Sequence, residues 1–160
     1  YFDVFPNIWR HGDFVTVTRR GGVVMHGRSD ATLNTGGVRI GTAEIYRQLE
    51  QMEEIDDSVV VGQDWKNDIR VILFVKLADG IELTDELKNK IKQTIRTNAS
   101  PRHVPAKILS VPDVPYTLNM KKVELAVKKV IQGQEVLNKD ALSNPQVLDH
   151  YANIEELQTD

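Results

Sequence analysis

The chain contains no cysteine. Disulfides, thiolate zinc sites and a cysteine nucleophile are therefore excluded, and a reducing cytosol is permitted. Long apolar runs are also missing. Nothing approaches the roughly 18 consecutive apolar residues of a membrane span, so no membrane insertion is expected. Positive charge is not in excess either: the formal net charge is −3, with the two signs interspersed. Nucleic-acid binders usually carry a basic balance or stripe, and neither that nor an aromatic-basic patch is present, so no nucleic-acid partner is expected. A leading Met is absent, and residues 1–10 lack the basic, apolar, small-residue order of a signal peptide. The missing Met suggests a piece excised from a longer protein.

What is present is ordinary for a globular protein. Of 160 residues, 41% are hydrophobic and 27% charged, and a chain of this size buries roughly 70% of its unfolded surface. Phe14-Val15-Thr16-Val17-Thr18 and Val23-Val24-Met25 flank Arg19-Arg20-Gly21-Gly22, a hairpin signature. So short a hairpin cannot make its own core, and it reads as the tail of a larger, absent domain. Gly36-Gly37 marks a second turn between short extended pieces. Thr42 is an expected N-cap, with Ile45, Leu49 and Met52 on one helical face. Val59-Val60-Val61 and residues 69–77 are strand candidates, the latter nearly all apolar except Arg70 and Lys76, as for a strand covered on both faces. Thr84 caps a second helix lined by Leu87, Ile91 and Ile95. Ser100-Pro101 and Val104-Pro105 predict extended chain. A third strand follows at Ile108-Leu109-Ser110-Val111, and a third helix from about Lys121, stopped at Gly133. Asn144-Pro145 predicts the start of a last amphipathic helix carrying Val147, Leu148, Tyr151 and Ile154. This mixture argues for a small α+β domain, with helices on a three-stranded sheet plus a β-hairpin.

Three places offer chemistry. His11-Gly12-Asp13 puts a carboxylate at a strand start. Gly27-Arg28-Ser29-Asp30 and Thr35-Gly36-Gly37-Val38-Arg39 place two arginines around a glycine turn, where guanidinium forks and bare amides suit phosphate or carboxylate oxygens. Residues 115–122 form a loop ending at a helix start, where a lysine would be a mobile point charge held by its loop. Taken singly, these read as a turn aspartate, a solvated hairpin and a charged helix face.

In order, they resemble the motifs of the adenylate-forming superfamily of acyl-CoA synthetases. Gly12-Asp13 matches a Gly-Asp pair near the end of that family's large domain. Gly27-Arg28-Ser29-Asp30 through Gly36-Gly37-Val38-Arg39-Ile40 matches a Gly-Arg-x-Asp segment, and Glu44 lies on the helix expected next. Residues 115–121 resemble a Pro-x-Thr-x-x-Gly-Lys motif. Within the family, Ser100-Pro101-Arg102-His103-Val104-Pro105, Lys121-Lys122-Val123-Glu124 and the tail from Leu142 look most like the acetoacetate-activating members. Acetate- and propionate-activating members are neighbouring alternatives, and a non-catalytic α+β interaction module is the alternative outside the family.

The resemblance implies that residues 1–29 end a large N-terminal adenylation domain and that 30–160 form the mobile C-terminal domain. It implies a cytoplasmic ligase using Mg2+-ATP and CoA as substrates with no tightly bound cofactor, converting acetoacetate to acetoacetyl-CoA through acyl-AMP. Its own N-terminal domain is then its partner, and the chain alone is inactive. By the same resemblance, Lys121 is the adenylation lysine. Asp13, Arg28 and Arg39 bind nucleotide, Asp30 is the hinge, and Gly36, Gly37 and Arg96 serve CoA. One departure stands out: Met120 occupies the family's glycine position before the lysine. It allows a different loop path, and leaves Lys122 as the alternative working residue.

Overall fold

Val59-Val60-Val61 and the run from Val71 to Val75 have no exposed member. They belong to β5 (Ile55–Trp65) and β6 (Asp68–Leu77), paired antiparallel with Val60 opposite Leu73. A third strand, β7 (Lys107–Ser110), runs parallel to β6 with Leu109 opposite Phe74, giving the order β5-β6-β7. Side chains alternate across a strand. Val60, Val71, Leu73 and Val75 therefore enter one apolar cluster, and Val59, Val61, Ile72 and Phe74 enter another on the opposite face. This double covering is why the strands read as unbroken apolar runs. The two charged exceptions are both engaged. Arg70 lies 3.9 Å over the Trp65 ring and donates to the carbonyls of Leu157 and Thr159, each at 2.7 Å. Lys76 pairs with Asp113 at 3.1 Å.

The computed structural model describes residues 4–29 and 32–160, with 26–28 described by backbone alone. Before the sheet come β1 (Asp13–Val17), β2 (Val23–Arg28), β3 (Leu33–Thr35), β4 (Val38–Ile40) and α1 (Thr42–Leu49). β1 and β2 form one hairpin, β3 and β4 another. The first hairpin leaves Val15, Val17, Val23, Val24 and Met25 exposed, Val17 to 68%. After β6, α2 (Asp85–Asn98) and a 3-10 turn (Pro101–His103) make the crossover that a parallel β7 requires. α3 (Glu124–Ile131) follows, then 3-10 turns at Lys139–Ala141, Pro145–Tyr151 and Glu155–Gln158. Leu33, Ile45, Leu49, Ile91 and Ile95 cover one sheet face. Val127, Ile131, Leu148, Tyr151 and Leu157 cover the other.

Several local expectations need correction. Thr84 caps α2 as expected, accepting from the Leu87 amide at 3.2 Å. Thr42 does not cap α1: Gly41 holds that position, and the buried Thr42 hydroxyl instead donates across to Glu124 at 3.3 Å. α3 starts at Glu124 rather than Lys121. Met120 is left-handed (φ 57°), and Lys122 is held in an antiparallel bridge to Tyr116, so helical backbone begins only after Val123. Ser100 and Val104 are extended as expected, but the residues between them close a 3-10 turn. The last segment is 3-10 rather than α-helical, broken at the left-handed Asn153. Asn144 holds the N-cap position there as expected, but its side chain makes no cap bond; it accepts from the Tyr116 amide and donates to the Val114 carbonyl, both at 2.9 Å. Val147, Leu148 and Tyr151 are buried all the same, because their spacing serves either kind of turn.

Candidate functional site

Asp13 opens β1 and sits opposite Arg28 in the β1–β2 register. Its carboxylate is 14% exposed and contacts the His11 ring nitrogen Nδ1. The left-handed Gly12 turns the chain into the strand, and its carbonyl accepts from both the Ser29 amide (2.9 Å) and the Ser29 hydroxyl (3.0 Å). Start and end of the first hairpin are thereby closed on each other. The Arg28 side chain and the whole of Asp30 lie outside the described residues.

The second hairpin turns at Gly36 (φ 56°) and Gly37 (φ 75°), with Thr35 opposite Val38. Positive φ at both central residues is the two-residue turn that matches strand twist, and glycine adopts it without strain. Gly37 faces open space. The Gly36 amide already serves an anion of this chain: it donates to Asp68, at 3.0 and 3.2 Å to the two oxygens. Amide donation, first from Gly36 and then from Ile69, holds the Asp68 carboxyl below its ordinary value. Arg39 is exposed on β4, and its guanidinium lies 4.7 Å over the Phe14 ring. This contact brings the second motif beside the first. Arg96 is exposed on the last turn of α2. Arg102 was not singled out by sequence, yet its Nη1 lies 3.7 Å from where a Gly36 side chain would begin. The only signal for it is a basic residue in the proline-started turn that follows α2.

The third motif is a closed loop. Tyr116 bridges Lys122, the Thr117 amide donates to the Lys121 carbonyl at 2.8 Å, and the Met120 amide donates to the Thr117 carbonyl at 2.9 Å. The Lys121 amide donates to the Thr117 hydroxyl at 3.1 Å. Met120 has the left-handed backbone that a glycine adopts freely. A glycine at this position would therefore fit the same backbone. The two lysines differ sharply. Lys121 is exposed, and its ammonium has no hydrogen bond or ion pair among the described residues. Lys122 is committed: its ammonium lies 2.7 Å from Asp57 Oδ1, donates to the Ser58 carbonyl at 2.7 Å, and sits 4.4 Å over the Tyr46 ring.

A polar network that sequence did not reveal links the loop to α1. Tyr46 donates to Glu124 at 3.0 Å while accepting from the buried Val60 amide at 3.0 Å. Burial, then the Glu124 charge, pushes the Tyr46 hydroxyl well above its ordinary value, so it stays a donor. Burial likewise raises the Glu124 carboxyl, against the hydrogen bonds from Tyr46 and Thr42. The glycine hairpin packs through Leu33 and Ile40 on one sheet face. The lysine loop packs through Tyr116 and Val123 on the other. Among the described residues no hydrogen bond or ion pair joins Lys121 to Asp13, Arg39 or the glycine turn.

No family model matches the chain. Comparison with individual proteins is decisive. An acetoacetyl-coenzyme A synthetase of Rhizobium meliloti (strain 1021) is 60% identical over 159 residues, which is 99% of this chain and 24% of that protein. The solved acetoacetyl-CoA synthetase of Streptomyces lividans superposes with a TM-score of 0.87 at 43% identity, again over 99% of this chain and 24% of that one. Over nearly its whole length the chain is similar to part of the acyl-CoA synthetases. It corresponds to a C-terminal portion of such a synthetase and spans about a quarter of the length of the relatives it matches. The synthetase fold extends to more distant proteins: a chimeric protein solved with ATP bound has a TM-score of 0.64 at 25% identity, over 73% of this chain and 23% of that one.

Proposed function

We propose that this chain is the mobile C-terminal domain, with a short remnant of the large domain, of an ATP-dependent ligase that converts acetoacetate to acetoacetyl-CoA. Acetoacetate attacks the α-phosphorus of Mg2+-ATP, giving acetoacetyl-AMP and pyrophosphate; the CoA thiol then displaces AMP. The observation that carries this reading is Lys121, exposed and with no hydrogen-bond or ion-pair partner for its ammonium among the described residues, on a loop whose backbone is closed beneath it. Charge builds on the α-phosphoryl and carboxylate oxygens during the first step, and a fixed ammonium shielded from water stabilises it. Leu118 and Met120, 67% and 70% exposed, precede Lys121 on the same loop and would exclude water once seated against a partner surface. Lys122 is spoken for by Asp57, Ser58 and Tyr46, which favours Lys121 as the working residue.

The remaining roles follow the same reading. Asp13 accepts from the ribose hydroxyls, with Arg28 and Arg39 at the ribose and phosphate end of the nucleotide. Asp30 is the hinge between 1–29 and 30–160, where a few backbone torsions absorb a rotation. That rotation withdraws Lys121 and presents Gly36 and Gly37 to the CoA arm, with Arg96 on the CoA phosphates. Gly37 faces open space, so a chain can pass close to the backbone there. The partner is the protein's own large N-terminal domain, the setting is the cytoplasm, and the chain alone is inactive. The test uses the full-length protein. Lys121→Ala should cut acyl-AMP formation by about 100-fold or more, the scale of losing a preorganised charge, while sparing thioester formation from supplied acyl-AMP. Equal loss in both half-reactions refutes the assignment. A panel of acetoacetate, acetate, propionate and butyrate tests the substrate, and preference for acetate or propionate overturns that part.

A further inference from the structure

We infer that Asp57, on the edge strand β5, is a positioning residue for the adenylation step: one carboxylate ties both ends of the Lys121 loop to the sheet. The Tyr116 hydroxyl donates to Asp57 Oδ2 at 2.7 Å, and the Lys122 ammonium lies 2.7 Å from Oδ1. Tyr116 and Lys122 are themselves the bridged pair at the base of the loop. Both anchors are thus fastened to one residue some sixty positions earlier in the chain. The same lysine also donates to the carbonyl of Ser58, on the strand side not paired with β6. Asp57 and Lys122 are 21% and 26% exposed at the side chain, so the pair is partly shielded from solvent.

A second observation concerns the strand. The β5–β6 register shifts between Ile55 and Asp57, leaving Asp56 as the extra residue. A bulge of this kind bends a strand and re-aims a side chain. Here it lies immediately before the carboxylate that reaches the loop. Lys121 is adjacent to Lys122, so its Cα lies about 3.8 Å from that of a residue whose side chain is fixed at three points. Tyr116 and Lys122 hold the frame, and of the two lysines only Lys121 is left to reach outward. The glycine hairpin packs on the opposite sheet face, and of the contacts that fix Tyr116 and Lys122 only the Tyr46 ring belongs to that side. Loosening Asp57 therefore disturbs one working loop and spares the other.

This inference rests on the proposed role of Lys121, and the experiment separates the two. In the full-length protein, Asp57→Asn and Lys122→Met are compared with Lys121→Ala. The readouts are acyl-AMP formation by pyrophosphate exchange, thioester formation from supplied acyl-AMP, and thermal stability. A displacement of about 1 Å at a reacting group costs up to about 100-fold. Asp57→Asn should accordingly lower kcat for acyl-AMP formation by about 10- to 100-fold, with KM for ATP and the thioester half-reaction within about threefold. The Asp57→Asn/Lys122→Met double variant should lose less than the product of its parents' losses, since both remove the shared Asp57–Lys122 tie. Tyr116→Phe removes only the second tie and should give a smaller loss in the same half-reaction; it serves as the decisive variant if Asp57→Asn does not fold. Unchanged acyl-AMP formation, equal loss in both half-reactions, or multiplied losses in the double variant overturn the inference. If Lys121→Ala also leaves acyl-AMP formation intact, the proposed function fails first. If Lys121→Ala suppresses it and Asp57→Asn does not, only the positioning role falls.

Discussion

Replacing Tyr46 by Phe removes one oxygen that holds two partners. The Tyr46 hydroxyl donates to Glu124 at 3.0 Å and accepts from the Val60 amide at 3.0 Å. Val60 is 0% exposed, so its amide has no access to water when the hydroxyl is gone. An orphaned buried donor costs about 1–3 kcal/mol, and a hydrogen bond to a charged group contributes about 1.5–3 kcal/mol. The ring and its packing against Lys122 remain, and the Thr42 hydroxyl still donates to Glu124, so the two losses are not fully additive. The expected cost is about 3 kcal/mol, which for a chain of this size lowers Tm by about 6–12 °C. Urea unfolding of parent and variant measures it directly, with unchanged m values as the check that the same two states are compared. A loss below about 1 kcal/mol would show that the Val60 amide does not depend on Tyr46.

Met120→Gly should stabilise the chain slightly. A non-glycine residue in the left-handed region costs about 1–2 kcal/mol, and glycine's extra chain entropy returns about 0.5–1 kcal/mol of that, leaving a gain of about 0.5–1 kcal/mol. A lower urea midpoint for the variant contradicts this. Gly62→Ala should be destabilising by about 1–3 kcal/mol, because a Cβ there would lie 2.6 Å from Ile69 Cγ2 and 3.2 Å from Leu33 Cδ2. Glu124→Gln tests the buried carboxyl. Burial raises it in the folded chain, so its contribution is full below the ordinary glutamate value of about 4.3 and is lost as pH rises through the folded value. As pH rises above the ordinary glutamate value the parent should lose stability relative to the variant; a pH-independent difference in urea midpoints refutes this.

Much of the scaffold was legible because burial writes itself into residue pattern. Unbroken apolar runs marked the two strands covered on both faces. The 3.6 spacing of Leu87, Ile91 and Ile95 marked α2, and Gly36-Gly37 marked a tight turn. Local rules failed where a side chain has a distant partner. Thr42 has the chemistry of a cap, but Glu124, 82 positions away, takes its hydroxyl. Asn144 before a proline does mark a helix start, but its amide group holds the 113–116 segment instead of capping it. The start of α3 was misplaced because Lys121, Lys122 and Val123 have no helix-breaking character. What stops them is a backbone bridge to Tyr116. At the candidate site the motif lysine was visible in the sequence. The distinction between Lys121 and Lys122 was not, since it depends on Asp57, Ser58 and Tyr46, all far away in the chain.

The sheet that is buried on both sides also makes sequence parity an address. Val59 and Val61 belong to the cluster beneath the lysine loop, and Val60 between them belongs to the cluster beneath the glycine hairpin. Trimming an odd-numbered valine therefore opens space on the side where α3 and the 142–158 segment pack; trimming the even one opens it on the side of α1 and α2. Neighbouring codons thus act on the foundations of two different loops. A scan of three adjacent positions is enough to soften either loop's foundation while leaving the other firm.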